Sequence, residues 1–332
     1  MKRLYYIIPL LILGAYIFGP RPDYEDWKDS ELEITSSGMP LSIIEDRIKD
    51  KNLDSLKPGN ASRIIWADSA KKEKTAYSIV YLHGFSASPM EGDPIHREFA
   101  ERYGANLYLP LLAGHGVDDP ESFKDLMPRD LIMSVRRAIT IGTALGEKVI
   151  LMSCSTGSTI GTYVASYNPD LIQGHIMYSP NIDLKDKKSR LIVNPWGLQL
   201  ARYVNGSKYR EIPNMPESCH PYWTMKYRLE GIQAIRSLVN TTMNKDVFKE
   251  IEHPIFVGYY YKDDKNCDSV VSIPAMKKML KKVRTPDDKK RMVAFPNGTH
   301  VLPSGLQNKN LDEVRKETFK FAEEVLEMKP IR

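Results

Sequence analysis

The chain has 332 residues, 42% apolar and 27% charged, with 47 Lys and Arg against 42 Asp and Glu, a formal net charge of +5. This is an ordinary globular composition, long enough for one large α/β core carrying an insertion, and neither the charge nor any motif points to a nucleic-acid partner. Three cysteines, Cys154, Cys219 and Cys267, make no disulfide framework and have no zinc-site spacing; one Cys219–Cys267 bridge is open to the chain in an oxidising compartment.

In chain order, Met1-Lys2-Arg3 precedes an apolar run from Leu4 to Phe18, then Gly19-Pro20. A basic start and about 15 apolar residues suit the h-region of an export signal, and fall short of the roughly 20 residues of a comfortable membrane span. No small-residue cleavage site follows. Residues 1–19 are therefore read as an uncleaved anchor with the catalytic body outside the cytoplasm, a secreted or periplasmic product being the alternative if they are cleaved. Residues 20–61 read as a polar, proline-bearing linker with a short amphipathic helix between Pro40 and Lys51.

From residue 62 to 182 the spacing predicts strands alternating with helices: strands at Arg63–Ala67, Tyr77–Leu82, Asn106–Leu109, Lys148–Met152 and Gly174–Tyr178, and helices at Ile95–Tyr103, Leu131–Leu145 and Thr156–Tyr167. Short, nearly continuous apolar strands between helices imply a parallel sheet covered on both faces, a doubly wound α/β core. Residues 183–250 break the rhythm with prolines, aromatics and methionines and read as a helical lid inserted over the sheet. Residues 251–332 resume it with strands at Ile255–Tyr261 and Arg291–Phe295, and helices at Ile273–Val283 and Leu311–Glu327.

The segment Val149 to Ser158 is a hydrophobic strand, a turn of small residues and a helix start. That is the context of a G-x-S-x-G nucleophile elbow, with Ser155 at the nucleophile position, Gly157 at the second small position, and Ser153 where the first glycine usually stands. A serine hydroxyl needs a base. Of seven histidines, only His300 lies in a loop after a late strand, as the order Ser, acid, His requires. His83 and His115, in glycine turns, are read as shaping residues, and His175 as a core histidine. The acid falls in the loop after Tyr261, where Asp268 is favoured over Asp264 because Val270 and Val271 would plug that stretch into the core. Asp263 and Asp264 stand among lysines and read as a solvated turn. The oxyanion donors are expected at the amides of Thr156, directly after the nucleophile, and Phe85, directly after Gly84.

Together, His83-Gly84-Phe85, Leu109-Pro110 with Gly114-His115-Gly116, the Ser153–Gly157 elbow, Tyr259–Val271 and Asn297-Gly298-Thr299-His300 resemble the α/β-hydrolase superfamily, especially its monoacylglycerol lipase and carboxylesterase branch. The resemblance covers roughly residues 62–325 and departs from the pattern at Ser153, in a longer acid loop and in a lid without a matching motif. It implies the α/β-hydrolase fold, no metal and no organic cofactor. The expected activity is hydrolysis of an acyl ester or lipid-like small molecule through an acyl-enzyme on Ser155. An amidase, an acyltransferase or a catalytically silent, membrane-anchored binding protein of the same fold are the alternatives.

Overall fold

Strands buried on both faces need cover on both, and this organises the molecule. Among the described residues, seven strands form one sheet in the order β1 (Arg63–Ile65), β3 (Asn106–Leu109), β2 (Thr75–Leu82), β4 (Gly146–Cys154), β5 (Ile172–Tyr178), β8 (Ile255–Tyr260) and β9 (Lys290–Phe295). Only the edge strand β1 runs antiparallel to its neighbour. The computed structural model describes residues 9, 11, 13–24, 31–34, 38–50 and 53–331. The basic residues at positions 2 and 3, and the apolar run as far as position 8, lie outside them.

The period of two divides the core. Val80, Leu82, Val149 and Leu151 face α2 (Pro128–Leu145) and α3 (Thr156–Ser166). Ile79, Tyr81, Ile150 and Met152 face α1 (Ile95–Arg102) and α8 (Leu311–Glu324), through Phe99 and Phe321 among others. Each such apolar side chain removed from water contributes about 1.5–3 kcal/mol. Because β2, β4, β5, β8 and β9 are parallel, the loops leaving their C-terminal ends gather on one edge, where open α/β sheets place their ligands.

The stretch between β5 and β8 holds α4 (Gly197–Asn205), α5 (Leu229–Thr242) and α6 (Lys245–Lys249), the last capped by the Asn244 side chain on the amides of Asp246 and Val247. It also holds a two-stranded antiparallel ribbon, β6 (Tyr209–Glu211) with β7 (Lys226–Arg228), where only helices were expected. The ribbon is too short to show a period. It is held by side chains instead, with the Tyr209 ring under Lys208, Lys226 and Arg228 and its hydroxyl on Glu121. After β8 comes α7 (Ile273–Leu280).

Two further expectations change. The expected linker is partly core: Leu32, Ile34, Ile44 and Ile48 are buried, and Asn168 ties the first two down by accepting from Ile34 N at 2.7 Å and donating to Leu32 O at 2.9 Å. The expected helix near Pro40 shrinks to a 3-10 turn, Leu41–Ile43, running into one helical turn, Ile44–Arg47. The cysteines are free thiols, so Cys219 and Cys267 form no bridge. No helix among the described residues is long and apolar enough to cross a membrane.

Candidate active site

β4 runs directly into α3 through Ser155, whose backbone sits at φ +49° and ψ −116°, a conformation an L-residue adopts only when its surroundings enforce it. The enforcement is visible. Ser155 N donates to Tyr178 O at 3.0 Å, Asn181 N donates to Ser155 O at 3.1 Å, and Thr159 Oγ1 donates to Asn181 O at 2.6 Å. Gly157 is required by contact, since a Cβ there would lie 2.1 Å from Leu82 O. Ser153 is accommodated at the other small position because its hydroxyl meets Ser158 Oγ at 2.8 Å and His175 Nε2 at 2.7 Å. His175 is thus a hydrogen-bonded core residue.

The loop after β2 brings its backbone against this turn. A Cβ on Gly84 would lie 3.2 Å from Ser155 Cβ. His83 shapes the loop: Leu112 N donates to its Nε2 at 3.0 Å, which leaves Nδ1–H to donate to Gly84 O at 2.8 Å. The amides of Phe85 and Thr156 have no acceptor among the described residues, and Thr156 opens α3, where the helix dipole adds positive potential. The Phe85 ring packs on Phe123 at 4.5 Å, Tyr227 at 5.2 Å and His115 at 5.8 Å between centroids. Tyr227 belongs to the insertion, and Thr224 N donates to Ser86 O at 2.7 Å, so residues of the 183–250 stretch are fastened onto this loop.

Asp268 and His300 meet on the same edge. His300 Nδ1 lies 2.8 Å from Asp268 Oδ2, while Asp268 Oδ1 accepts from the amides of Val270 at 2.8 Å and Val271 at 3.1 Å. The Asp268 side chain is fully buried and that of His300 is 21% exposed. Burial acts to lower the His300 pKa, but the Asp268 carboxylate, with a smaller contribution from Glu91, holds the imidazole above its ordinary value. Burial likewise acts to raise the Asp268 carboxyl, and His300 with the two amides draws it below the usual range. Asp264 is exposed and accepts from Tyr261 OH; Asp263 is exposed and caps the turn at Asn266. Neither reaches His300.

Among the described residues no hydrogen bond joins the Ser155 hydroxyl to His300, and Ser155 is 8% exposed. Such bonds are often long without substrate and tighten when it binds. No group of metal-ligating side chains stands near these residues or elsewhere in the described chain. A cleft of about 530 Å³ opens elsewhere, between α5, α6 and α7, lined by Asp183, Arg236, Lys245 and Lys278. Sequence reasoning missed one residue at the site. Glu91, in the 3-10 turn Pro89–Gly92, is buried and accepts from Gly84 N, and nothing in its local sequence distinguishes it from a surface carboxylate.

The sequence pattern of the Alpha/beta hydrolase family matches residues 79–313. No curated protein matches the sequence. Among solved structures, the chain is similar to one described with LipS and LipT, two metagenome-derived lipolytic enzymes, at 14% identity and a TM-score of 0.64, covering 80% of this chain and 98% of that one. It is also similar to the monoacylglycerol lipase of Paleococcus ferrophilus (10% identity, TM-score 0.58, 80% and 98% covered). A soluble variant of the monoglyceride lipase of Saccharomyces cerevisiae, in complex with a substrate analog, is a third (12% identity, TM-score 0.54, 79% and 90% covered). At these identities the likeness shows a shared fold.

Proposed function

We propose, from the premise that this chain belongs to the alpha/beta hydrolase family, that it is a serine hydrolase of carboxylic esters working through an acyl-enzyme on Ser155. The observation that carries this reading is the pairing of His300 with the fully buried Asp268 on the sheet edge where Ser155 stands in its enforced turn. Ser155 Oγ attacks the ester carbonyl and its proton passes to His300 Nε2, while the amides of Phe85 and Thr156 receive the developing oxyanion. Collapse expels the alcohol, which takes the proton from His300. Water then attacks the acyl group with His300 as base, and the second collapse frees the acid and Ser155. Asp268 holds the imidazole in the required tautomer and stabilises its cation.

The lipolytic and monoglyceride-lipase neighbours favour an acyl ester with an apolar chain. The cluster of Phe85, Phe123 and Tyr227 beside Ser155 supplies apolar surface for it, with the insertion acting as a lid. Hydrolysis of p-nitrophenyl esters of increasing chain length tests this. Wild type is expected to turn them over and Ser155→Ala to lose at least about 10³-fold in kcat. Equal rates in the two proteins would sink the reading, and a new ester formed when an acceptor alcohol is added would make the enzyme a transferase.

For location, the reading is contact with a membrane surface. The segment ending at Phe18 lies against α4, with Trp196 Nε1 donating to Ala15 O at 2.7 Å and Trp196 N donating to Pro20 O at 2.8 Å. Ile17 and Phe18 on one side of that junction, and Trp196, Leu200, Tyr203 and Val204 on the other, are all exposed apolar residues.

A further inference from the structure

The mechanism leaves one buried charged group unused. Glu91 is 2% exposed, and its Oε2 accepts from Gly84 N at 2.8 Å and from Tyr81 OH at 3.0 Å. The point where a Cβ on Gly84 would sit lies 2.9 Å from Glu91 Oε1 and 3.2 Å from Ser155 Cβ, so both residues pack against the bare side of Gly84. The titratable groups around it are Tyr81 from β2, Cys154 from β4 and His300 from the loop after β9. His96 of α1 stands one ring further out, against Tyr81 at 5.0 Å between centroids. No Lys or Arg among the described residues forms an ion pair with this carboxyl.

A lone buried carboxyl is costly unless its hydrogen bonds do something that an apolar residue could not. One of the two bonds here holds the amide of Gly84, the residue whose next peptide carries the Phe85 N–H. We propose that Glu91 is a positioning residue for ester hydrolysis, holding Gly84 so that the Phe85 amide that follows it points at the developing oxyanion. The proposal rests on the roles given above to Ser155, His300 and Phe85.

Two consequences follow from the placement. With its N–H held by Glu91 and its carbonyl accepting from His83 Nδ1 at 2.8 Å and Ala87 N at 3.3 Å, Gly84 is fixed on both sides, so the Phe85 N–H that follows it is oriented before the oxyanion forms, which is the preorganisation an oxyanion hole needs. The second concerns protons. Burial, only partly offset by the Gly84 and Tyr81 hydrogen bonds, pushes the Glu91 carboxyl up to about 7, so it changes charge near neutrality. When ionised it favours the imidazolium form of His300, the form that cannot act as base. As pH rises, Glu91 gains its charge while His300 must lose a proton, so the acid limb of the rate profile sits higher than it would beside a neutral group.

The test compares wild type, Glu91→Gln and Glu91→Ala for kcat and KM on a p-nitrophenyl ester across the neutral range, with His300 followed separately by NMR titration of its imidazole. Gln keeps a carbonyl oxygen for Gly84 N–H and removes the charge; Ala removes both. Glu91→Ala is expected to lower kcat by roughly tenfold or more with KM nearly unchanged. Glu91→Gln is expected to recover most of kcat and to move both the acid limb and the imidazole titration to lower pH. Wild-type kcat in Glu91→Ala, or a Glu91→Gln imidazole titration superimposed on wild type, overturns the proposal. Should Glu91→Ala fail to fold, the near-isosteric Glu91→Gln decides alone. The imidazole titration reads out whether or not ester is turned over, so a wild type without activity would count against the hydrolase reading and not against the Glu91–His300 coupling.

Discussion

At the scale of single residues, the site is a set of charges arranged around one imidazole. Asp268 takes both of its oxygens' hydrogen bonds from inside the protein, from His300 and from the Val270 and Val271 amides, so it has no freedom to turn away. Its carboxylate, with a smaller contribution from Glu91, holds the His300 pKa up against burial. The sign is definite. A base must be unprotonated, so kcat/KM should fall as pH drops through a His300 value above the usual 6.5 or so. Asp268→Asn removes the larger raising charge and leaves burial, which lowers, against only the smaller contribution of Glu91. The acid limb should therefore move to lower pH while kcat drops by on the order of 10³–10⁴ through loss of the tautomer and of support for the cation. A pH–rate series on the two proteins checks this, and an acid limb that stays in place would mean that Asp268 does not set the charge on His300.

At the scale of elements, the sheet edge collects what chain order scatters. Ser155 follows β4, Phe85 follows β2, Asp268 follows β8 and His300 follows β9, and parallel pairing alone brings the four loops together. The other feature at this scale is the exposed apolar surface at Ile17, Phe18 and α4. Gly19 allows it, since a Cβ there would fall 2.1 Å from the Trp196 indole nitrogen. Full-length protein should float with phospholipid vesicles, and Tyr203→Ser with Val204→Ser should weaken that binding severalfold while leaving ester turnover in solution unchanged, because those side chains are 84% and 77% exposed. Equal flotation of the double variant and wild type would remove α4 from the membrane contact.

What could be read from the chain divides along the same lines. The sheet and its flanking helices were legible because each strand is a short apolar run and each helix carries the 3.6 period; boundaries moved by a few residues, as at Pro128, where a proline in the first turn starts α2 earlier than the apolar pattern does. Gly157 was legible as a small residue, and the structure adds the reason in its contact with Leu82 O. The positions of Asp268 and His300 could be read from loop order, whereas their 2.8 Å separation depends on strand register. Glu91 could not be read, because a glutamate between Met90 and Gly92 carries no local mark of burial; that comes from Tyr81 and Gly84. The buried Leu32 and Ile34 escaped notice for the same reason, as their partner Asn168 is more than a hundred residues away.

At the scale of the whole molecule, an enforced serine turn, an acid–base pair and two amides with no acceptor among the described residues share one sheet edge, and the 183–250 stretch is fastened to that edge by Thr224 N donating to Ser86 O at 2.7 Å. Ser155 is 8% exposed, so a reagent must enter a largely buried site. The most direct measurement is reaction of the intact protein with a fluorophosphonate, with and without mild detergent, followed by peptide mapping. The account predicts covalent labelling at Ser155, absent in Ser155→Ala and strongly slowed in His300→Ala. A folded wild-type protein that stays unlabelled under both conditions, or is labelled at another residue, would contradict it.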